Sequence, residues 1–513
     1  MKTGLTNPSH TAKLSVRADK GSVQGNEGRS SENALVKSHY LDGPTAKTRL
    51  RVALLATSGI FKALLTLTFN VVALLLVSAV PVLAQSDLVQ SDYVPGSPST
   101  SSDAYFADPI SFPYSHLDSQ AHLFDGIDSW RDARSQLEER GVTFDFYYVT
   151  DLLANPAGGK EQTAAGWGRL RGTMDIDFGR FTSDKGLTFH ITGLWQFGAN
   201  LGAEIGTIAN PSGLASAHAT RLDSWWFQQA LFDDKLYLRA GQIGAQDFYG
   251  VQQYGASFVA EPVDYALGNL FGTVYESFDP ASTPAAEIRF VPSRYFYVKG
   301  AILAGNRDPY EQDTNGFHFA IDNSGVGVSE VGFLVDPSNA SDSVTSDRKS
   351  YPGLYRLGSV YNGGRFADPV TGLLTSGNYL IYVMANQAVY RPDAGSNRGL
   401  DLFFTYDWSP DDVNQVNTET TAGLRYAGLV ASRDHDSLGI STIYSRVSDQ
   451  FNEALFQQGL PVLGSEKMFE LNYLAQLNRW WIVQPVFQYY VDVGGDRRLN
   501  NAPVLGFRTK VDF

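Results

Sequence analysis

The C-terminal part of the chain, residues 466–513, alternates apolar and polar side chains with a period of two. In its last segment Leu505 and Phe507 share one face, while Arg508 and Lys510 share the other. Such alternation is typical of β-strands. A soluble sandwich would bury the apolar face on a second sheet, whereas a transmembrane barrel turns it to lipid and lines a wet lumen with the charges. The chain ends on Phe513 in an apolar-face position, which favours an outer-membrane barrel.

The same period continues through residues 142–513, so the fold class is all-β, a transmembrane antiparallel β-barrel. At about ten residues per tilted strand plus connections, this stretch supplies roughly 16 strands. Short turns at Asp233–Asp234 and Pro292–Arg294 predict hairpins. Long connections are expected at residues 199–220, 249–284 and 336–352. Short turns on one side and long extracellular loops on the other are typical of these barrels.

The residues before the barrel fall into three predicted segments. Residues 1–84 are an N-terminal extension plus a signal peptide, because basic residues precede an apolar run that ends in a small-residue exit at Ala84. A membrane anchor is the rival interpretation of that run. Residues 85–124 are a Ser/Pro-rich linker. Residues 125–141 form a short periplasmic helix, with Asp128 as N-cap and Gly141 as its stop.

Composition agrees with an exported barrel. Charged residues make up only 18% and aromatic residues 13%, and mean hydropathy is −0.18, as expected where lumen-facing and lipid-facing positions cancel. Residues 1–84 carry ten Lys or Arg against four Asp or Glu, so with a total of −14 the remainder carries −20. This acidic balance argues against nucleic acid as a partner. It fits outer-membrane lipid and lipopolysaccharide, to which divalent cations can bridge acidic loops. Cysteine is absent.

Several separated motifs resemble the carbohydrate-selective outer-membrane porins of the OprB type. The resemblance covers residues 129–513 and begins with Trp130-Arg131 and Leu137-Glu138-Glu139-Arg140-Gly141-Val142. It continues through residues 155–159, 238–243, 352–358 and 423–434, and closes with residues 466–473, 485–489 and 506–513. Residues 249–283 match poorly and include a loop that is expected to shape the constriction.

The resemblance implies a 16-stranded barrel in the bacterial outer membrane that passes glucose and related sugars by facilitated diffusion. It implies no cofactor. Recognition of Phe513 by the barrel-assembly machinery is a further expectation.

Sugar selection requires hydrogen-bond donors and acceptors on the wet face of the strands. The phase of the strands and the matched motifs single out Arg239, Glu330, Arg356 and Glu470 as preferred sugar-binding residues. The other predicted pore-lining residues are Arg169, Arg171, Glu287, Arg289, Lys299, Arg425, Gln488 and Arg508. An alternative role for any of them is cross-strand pairing that stiffens the barrel wall.

Three other functional classes are alternatives to a sugar porin. A general or ion-selective porin would use the same Arg rows for charge selectivity alone. A structural tether would need a wall-binding module, and residues 85–125 are too short to form one. An enzyme would need a catalytic motif, and the sequence has no Ser nucleophile elbow, no phosphate loop and no histidines at metal-ligand spacing. No catalytic residue and no metal ligand is therefore predicted.

Overall fold

Sixteen antiparallel strands close into one barrel in the computed structural model. The structure describes residues 123–126, 128–183, 185–264, 267–275, 282–305, 315–317, 324–336, 349–394 and 397–513. The strands are β1 (Val142–Ala154), β2 (Ala164–Asp177), β3 (Leu187–Gly198), β4 (Ala219–Leu231), β5 (Leu236–Ile243), β6 (Thr283–Ser293), β7 (Phe296–Ala304), β8 (Gly325–Val335), β9 (Gly353–Ala367), β10 (Leu374–Tyr390), β11 (Gly399–Trp408), β12 (Val416–Ala427), β13 (Ser437–Val447), β14 (Ser465–Asn478), β15 (Trp481–Val491) and β16 (Ala502–Asp512).

Each strand pairs with its neighbours in sequence, and β1 pairs with β16 to close the barrel. At this seam Tyr148 faces Val511 and Leu152 faces Phe507. Gly506 lies so close to β1 that an added Cβ would come within 2.0 Å of the Leu152 carbonyl oxygen. The predicted strand number and the antiparallel closure are confirmed, and β1 begins at Val142.

The barrel wall alternates between two environments, as the period of two predicts. Large apolar side chains such as Trp195, Phe333, Leu357, Phe469 and Phe507 are exposed on the outside. Buried positions alternate with them along each strand and point inward. In water such an outer surface would be an aggregation hazard, whereas in a bilayer it is the face that lipid covers.

The connections divide between the two barrel ends according to strand direction. The end that holds Val142 and Phe513 carries the tight turns of the β4–β5, β6–β7 and β14–β15 hairpins. The opposite end carries long connections that include residues 199–218 and 244–282. The 336–352 connection follows β8, which runs toward the tight-turn end, so the connection begins at that end. The prediction that it lies with the long loops of the opposite end is wrong. Strand order, rather than connection length, decides the end at which a connection lies.

Five α-helices accompany the barrel in the described part of the chain. They are α1 (Asp128–Glu139), α2 (Leu201–Ile205), α3 (Glu261–Asp264), α4 (Gly268–Tyr275) and α5 (Asp449–Gln457). None of these helices is long and apolar enough to cross a membrane.

Helix α1 falls within the predicted periplasmic segment and packs at the tight-turn end. The Trp130 ring lies 5.7 Å from that of Phe144, and Arg134 Nη2 donates to the Phe144 carbonyl oxygen at 2.8 Å. A 3-10 turn, Leu123–Gly126, precedes it and brings the Phe124 ring to 5.7 Å from that of Phe513. Residues 1–84 and most of the predicted linker lie outside the described residues.

The inward face is less polar than alternation alone suggests. Two apolar clusters fill opposite sides of the lumen. The first joins Val326, Val360 and Leu380 of β8–β10 to residues of the 244–282 connection. The second joins Met468 and Val486 of β14 and β15 to the middle residues of the same connection and to the 199–218 connection. Chain segments folded into the barrel make these inward apolar positions favourable.

Candidate functional site: the lumen and its inward loops

The connection between β5 and β6, residues 244–282, folds into the barrel, and we call it the constriction loop. Its first and last described residues, such as Phe248 and Val274, belong to the first apolar cluster, and its middle residues, such as Phe258, belong to the second. The loop therefore spans the lumen from the β7–β10 wall to the β14–β16 wall. The sequence-based expectation placed a constriction-shaping loop within residues 249–283, and the described residues of that segment lie in the lumen.

Glu330 of β8 fastens the loop to the first wall. Its carboxylate accepts hydrogen bonds from the Tyr297 hydroxyl at 2.7 Å and the Tyr382 hydroxyl at 2.8 Å. It also accepts one from the backbone N–H of Gly250 in the loop at 3.2 Å, and Lys299 Nζ lies 3.2 Å away. Hydrogen bonds to a buried carboxylate are stronger than neutral ones. Glu330 thus joins three strands to the constriction loop.

Two cations on the same wall are covered by the loop. The Arg239 guanidinium lies 4.6 Å from the Trp226 ring centre and 4.0 Å from that of Phe248 in the loop. It also pairs with Glu287, its cross-strand neighbour, at 3.2 Å. Lys299 Nζ donates to the carbonyl oxygen of Phe248. The pair with Glu287 stiffens the barrel wall, which is the alternative role of such charges. The contacts with Phe248 also anchor the constriction loop.

Two loop tyrosines remain neutral among these charges. Burial raises the pKa of Tyr249 well above its ordinary value, and the nearby carboxylates of Glu287 and Glu330 raise it further. Burial raises the pKa of Tyr275 to about 12, against the opposing effect of its hydrogen bond to Thr283. Both hydroxyls therefore keep their protons at physiological pH and can act as hydrogen-bond donors.

Glu470 of β14 fastens the loop to the opposite wall. Its Oε1 accepts from Val259 N at 2.9 Å and Asn472 Nδ2 at 2.7 Å, and its Oε2 accepts from Ala260 N at 2.9 Å and Gln488 Nε2 at 3.1 Å. With four donors on two oxygens, the carboxylate is well satisfied despite complete burial. In this structure Glu470 holds the loop, and a sugar contact by the same group stays a prediction.

Arg508 of β16 adds a second anchor on this wall. It pairs with Asp151 of β1 through two contacts, at 2.6 and 2.7 Å, and with Asp264 of the loop helix α3 at 2.9 Å. Its Nη1 also donates to the Phe258 carbonyl oxygen at 3.1 Å. A bidentate guanidinium pair of this kind fixes orientation as well as charge.

The connection between β3 and β4, residues 199–218, also enters the lumen, and we call it the second inward loop. Ser212 Oγ donates to Asp151 Oδ2 at 2.5 Å, and Gln488 Nε2 donates to the Pro211 carbonyl oxygen at 2.9 Å. The two inward loops also touch each other, because Gly213 N donates to the Val259 carbonyl oxygen at 2.8 Å. The loops and the β14–β16 wall therefore form one hydrogen-bonded unit.

The remaining predicted residues mainly contact neighbouring strands, and Arg169 Nη2 also donates to the Leu214 carbonyl oxygen of the second inward loop at 3.4 Å. Arg169 Nε donates to Gln196 of the next strand at 2.8 Å. Arg356 Nη2 donates to Asn386 at 3.2 Å, while its Nε donates no hydrogen bond within the described part of the chain. Further contacts are Arg171 with Asp223 at 3.4 Å, Arg425 with Asp401 at 3.5 Å, and Arg289 over the Tyr237 ring at 4.0 Å.

All twelve predicted residues lie on the inward face, and only Arg425 is not fully buried. Sequence reasoning missed the carboxylates that pair with them, namely Asp151, Asp223, Asp264 and Asp401. The strand phase of Asp151 could have revealed it, because it is in step with inward Tyr147 and Val149. Asp264 lies in a loop helix, where no strand phase applies.

No metal centre emerges from the described residues, in which no group of three or more His, Asp or Glu side chains has a metal-binding arrangement. What the lumen offers instead is donors, acceptors and aromatic rings around an inward loop. Such a lining suits neutral hydroxylated solutes that must be bound weakly and released.

Residues 161–513 match the family model described as carbohydrate-selective porin, OprB family. Among characterised proteins, Porin B of Pseudomonas aeruginosa is 24% identical over 434 residues, which cover 75% of this chain and 91% of that protein. Putative porin QuiX of Acinetobacter baylyi is 20% identical over 414 residues, which cover 75% and 92%.

The fold has a solved counterpart in the high-pH structure of Pseudomonas putida OprB. The superposition has a TM-score of 0.68 at 21% identity and covers 75% of this chain and 97% of that one. This likeness establishes the barrel architecture.

Proposed function

The chain belongs to the carbohydrate-selective porin family of the OprB type, and we propose that its lumen passes glucose and related sugars by facilitated diffusion past the constriction loop. It is an outer-membrane sugar porin and a channel protein, not an enzyme. The observation that supports the choice of solute is the set of charged and aromatic side chains around the constriction loop, in which Arg356 keeps a donor that no described residue uses.

The lining suits sugars for a physical reason. A sugar is neutral and carries hydroxyls around its ring, so it exchanges water for fixed donors and acceptors at little cost. A charge-assisted hydrogen bond contributes about 1.5–3 kcal/mol before solvent competition. A pore must also release its solute, so binding on the order of millimolar or weaker is expected.

Arg356 is the residue best placed for a direct test. Its Nε has no hydrogen bond among the described residues, and only Nη2 is held by Asn386. Adding glucose to the wild-type channel in a planar bilayer should reduce ion current saturably. Arg356→Ala should weaken this block severalfold while the pore stays open. The half-blocking glucose concentration measures the effect.

A general or ion-selective porin would behave differently. It would show only the linear fall in current that viscosity causes, and Arg356→Ala would change ion selectivity alone. A linear response to every sugar in a panel of hexoses and disaccharides would exclude the sugar site.

We further propose lipid, lipopolysaccharide and the barrel-assembly machinery as partners of the outer surface. Phe513 supports this, because its ring lies 5.4 Å from that of outward-facing Phe146 at the tight-turn end. Deletion of Phe513 should lower the yield of inserted barrel while export across the inner membrane is unaffected. Heat-modifiable mobility of outer-membrane fractions measures insertion. Normal insertion of the truncated chain would contradict the proposed end signal.

A further inference from the structure

We infer that Glu466, a residue outside the predicted pore lining, is a positioning residue that sets the constriction by holding the second inward loop. This inference rests on the proposed function, because it concerns the passage that sugars would take. Glu466 and Glu470 point inward from the same strand, β14, with Met468 of the second apolar cluster between them. The strand thus presents two carboxylates to two different loops.

The contacts of Glu466 are almost entirely with loop backbone. Ile208 N donates to both carboxylate oxygens at 3.0 Å, and Ala209 N donates to Oε1 at 2.8 Å. Gly494 N, in the connection between β15 and β16, donates to Oε2 at 2.6 Å. Every hydrogen-bond donor found on this carboxylate among the described residues is a backbone N–H. Glu466 therefore joins the second inward loop and the β15–β16 connection to the wall.

The second inward loop also supports the constriction loop. Its backbone continues to Gly213, whose N–H binds the Val259 carbonyl oxygen of the constriction loop. Val259 N is in turn held by Glu470. Glu466 thus holds the second inward loop, and Glu470 holds the constriction loop, from neighbouring inward positions of β14. Because the two loops are hydrogen-bonded to each other, release of the second inward loop removes a support of the constriction loop.

A carboxylate that accepts hydrogen bonds from backbone N–H groups cannot be replaced by its amide without losing some of those hydrogen bonds. Glutamine has one acceptor oxygen, and its NH₂ group would face N–H donors that need an acceptor. Ala209 is almost fully buried, with 1% of its surface exposed. If Glu466 holds the loop, Glu466→Gln should expose this position.

The absence of native cysteine permits a clean test of loop position. An Ala209→Cys thiol is introduced into the full chain with wild-type Glu466, with Glu466→Gln, or with Glu204→Gln. Glu204 is exposed on the same loop, so its change removes the same charge without touching the contacts described above. The rate of reaction with a water-soluble thiosulfonate should rise at least about tenfold in Glu466→Gln and stay at the wild-type rate in Glu204→Gln.

Single-channel recording provides the second readout. Glu466→Gln should raise the half-blocking glucose concentration severalfold and change open-pore conductance, and Glu466→Asp, which keeps the charge, should restore part of both. If Glu466→Gln yields no inserted barrel, Glu466→Asp is compared with wild type and should show smaller shifts in the same direction. A merely structural role would lower the number of inserted channels and leave each channel's block and conductance unchanged.

The outcomes separate the two proposals. A protected thiol with unchanged conductance in Glu466→Gln overturns the inference, and so does an exposed thiol with unchanged conductance and block. If no sugar blocks even the wild-type pore, the proposed function fails. The inference is then decided by thiol rate and ion conductance, both of which must change in Glu466→Gln.

Discussion

Replacing Arg508 with methionine is expected to lower the free energy of unfolding by about 3–5 kcal/mol, because two buried carboxylates would lose their cation. Arg508 lies between Asp151 of the wall and Asp264 of the constriction loop, and all three side chains are buried. The loop would also lose the hydrogen bond at the Phe258 carbonyl oxygen. Larger and noisier single-channel currents should accompany the loss of stability. Urea unfolding in lipid vesicles and planar-bilayer recording measure the two effects.

Arg498→Met is the matched control for this change. Arg498 pairs with Asp496 at 2.6 Å, but its side chain is largely exposed, and such surface pairs contribute little to stability. Adding Asp151→Asn to Arg508→Met should recover part of the lost stability, since one of the two buried carboxylates that faced Arg508 is then neutral. Equal stability and equal current in Arg508→Met and Arg498→Met would show that Arg508 does not anchor the loop.

Replacing Glu330 with glutamine is expected to have the next largest effect, about 3–5 kcal/mol of stability, because Lys299 would be left buried without its charge partner. Two tyrosine hydroxyls and the Gly250 N–H would also compete for a single acceptor oxygen. Detachment of the loop from this wall should weaken sugar block at the same time.

A double-mutant cycle of Glu330→Gln and Lys299→Met isolates the interaction energy of the Glu330–Lys299 pair. The two groups are 3.2 Å apart, so the double variant should cost less than the sum of the single variants by at least about 1 kcal/mol. Additive costs would show that Glu330 and Lys299 act independently. Glu453→Gln, on the exposed face of α5, gives the baseline for a charge change that touches neither loop.

The charges on the barrel wall thus have two tasks in this porin. Some, such as Glu287, pair with a residue of the neighbouring strand, as wall residues of a wide lumen do. Others, such as Glu330, Glu470 and Arg508, bind loop backbone or loop carboxylates. The second group explains how a long connection that carries many apolar residues can be held inside a lumen without a disulfide.

The sequence by itself determined the wall of the barrel. Outward residues such as Leu505 and Phe507 meet lipid whatever else the chain does, so their alternation with Arg508 and Lys510 is a local signal of strand and face. The same local signal placed all twelve predicted residues on the inward side. It also predicted the strand number, because strand length follows from membrane thickness.

Only the tertiary structure decided what the inward side chains contact. Glu470 and Val259 are 211 residues apart in sequence, and no local period connects a strand carboxylate to the backbone of a distant loop. The apolar inward positions Val326 and Val360 depend on the same fact, because they are favourable only where a loop covers them. Membrane thickness and chain alternation act on each strand separately, whereas the constriction is formed by contacts between segments that are far apart in the chain.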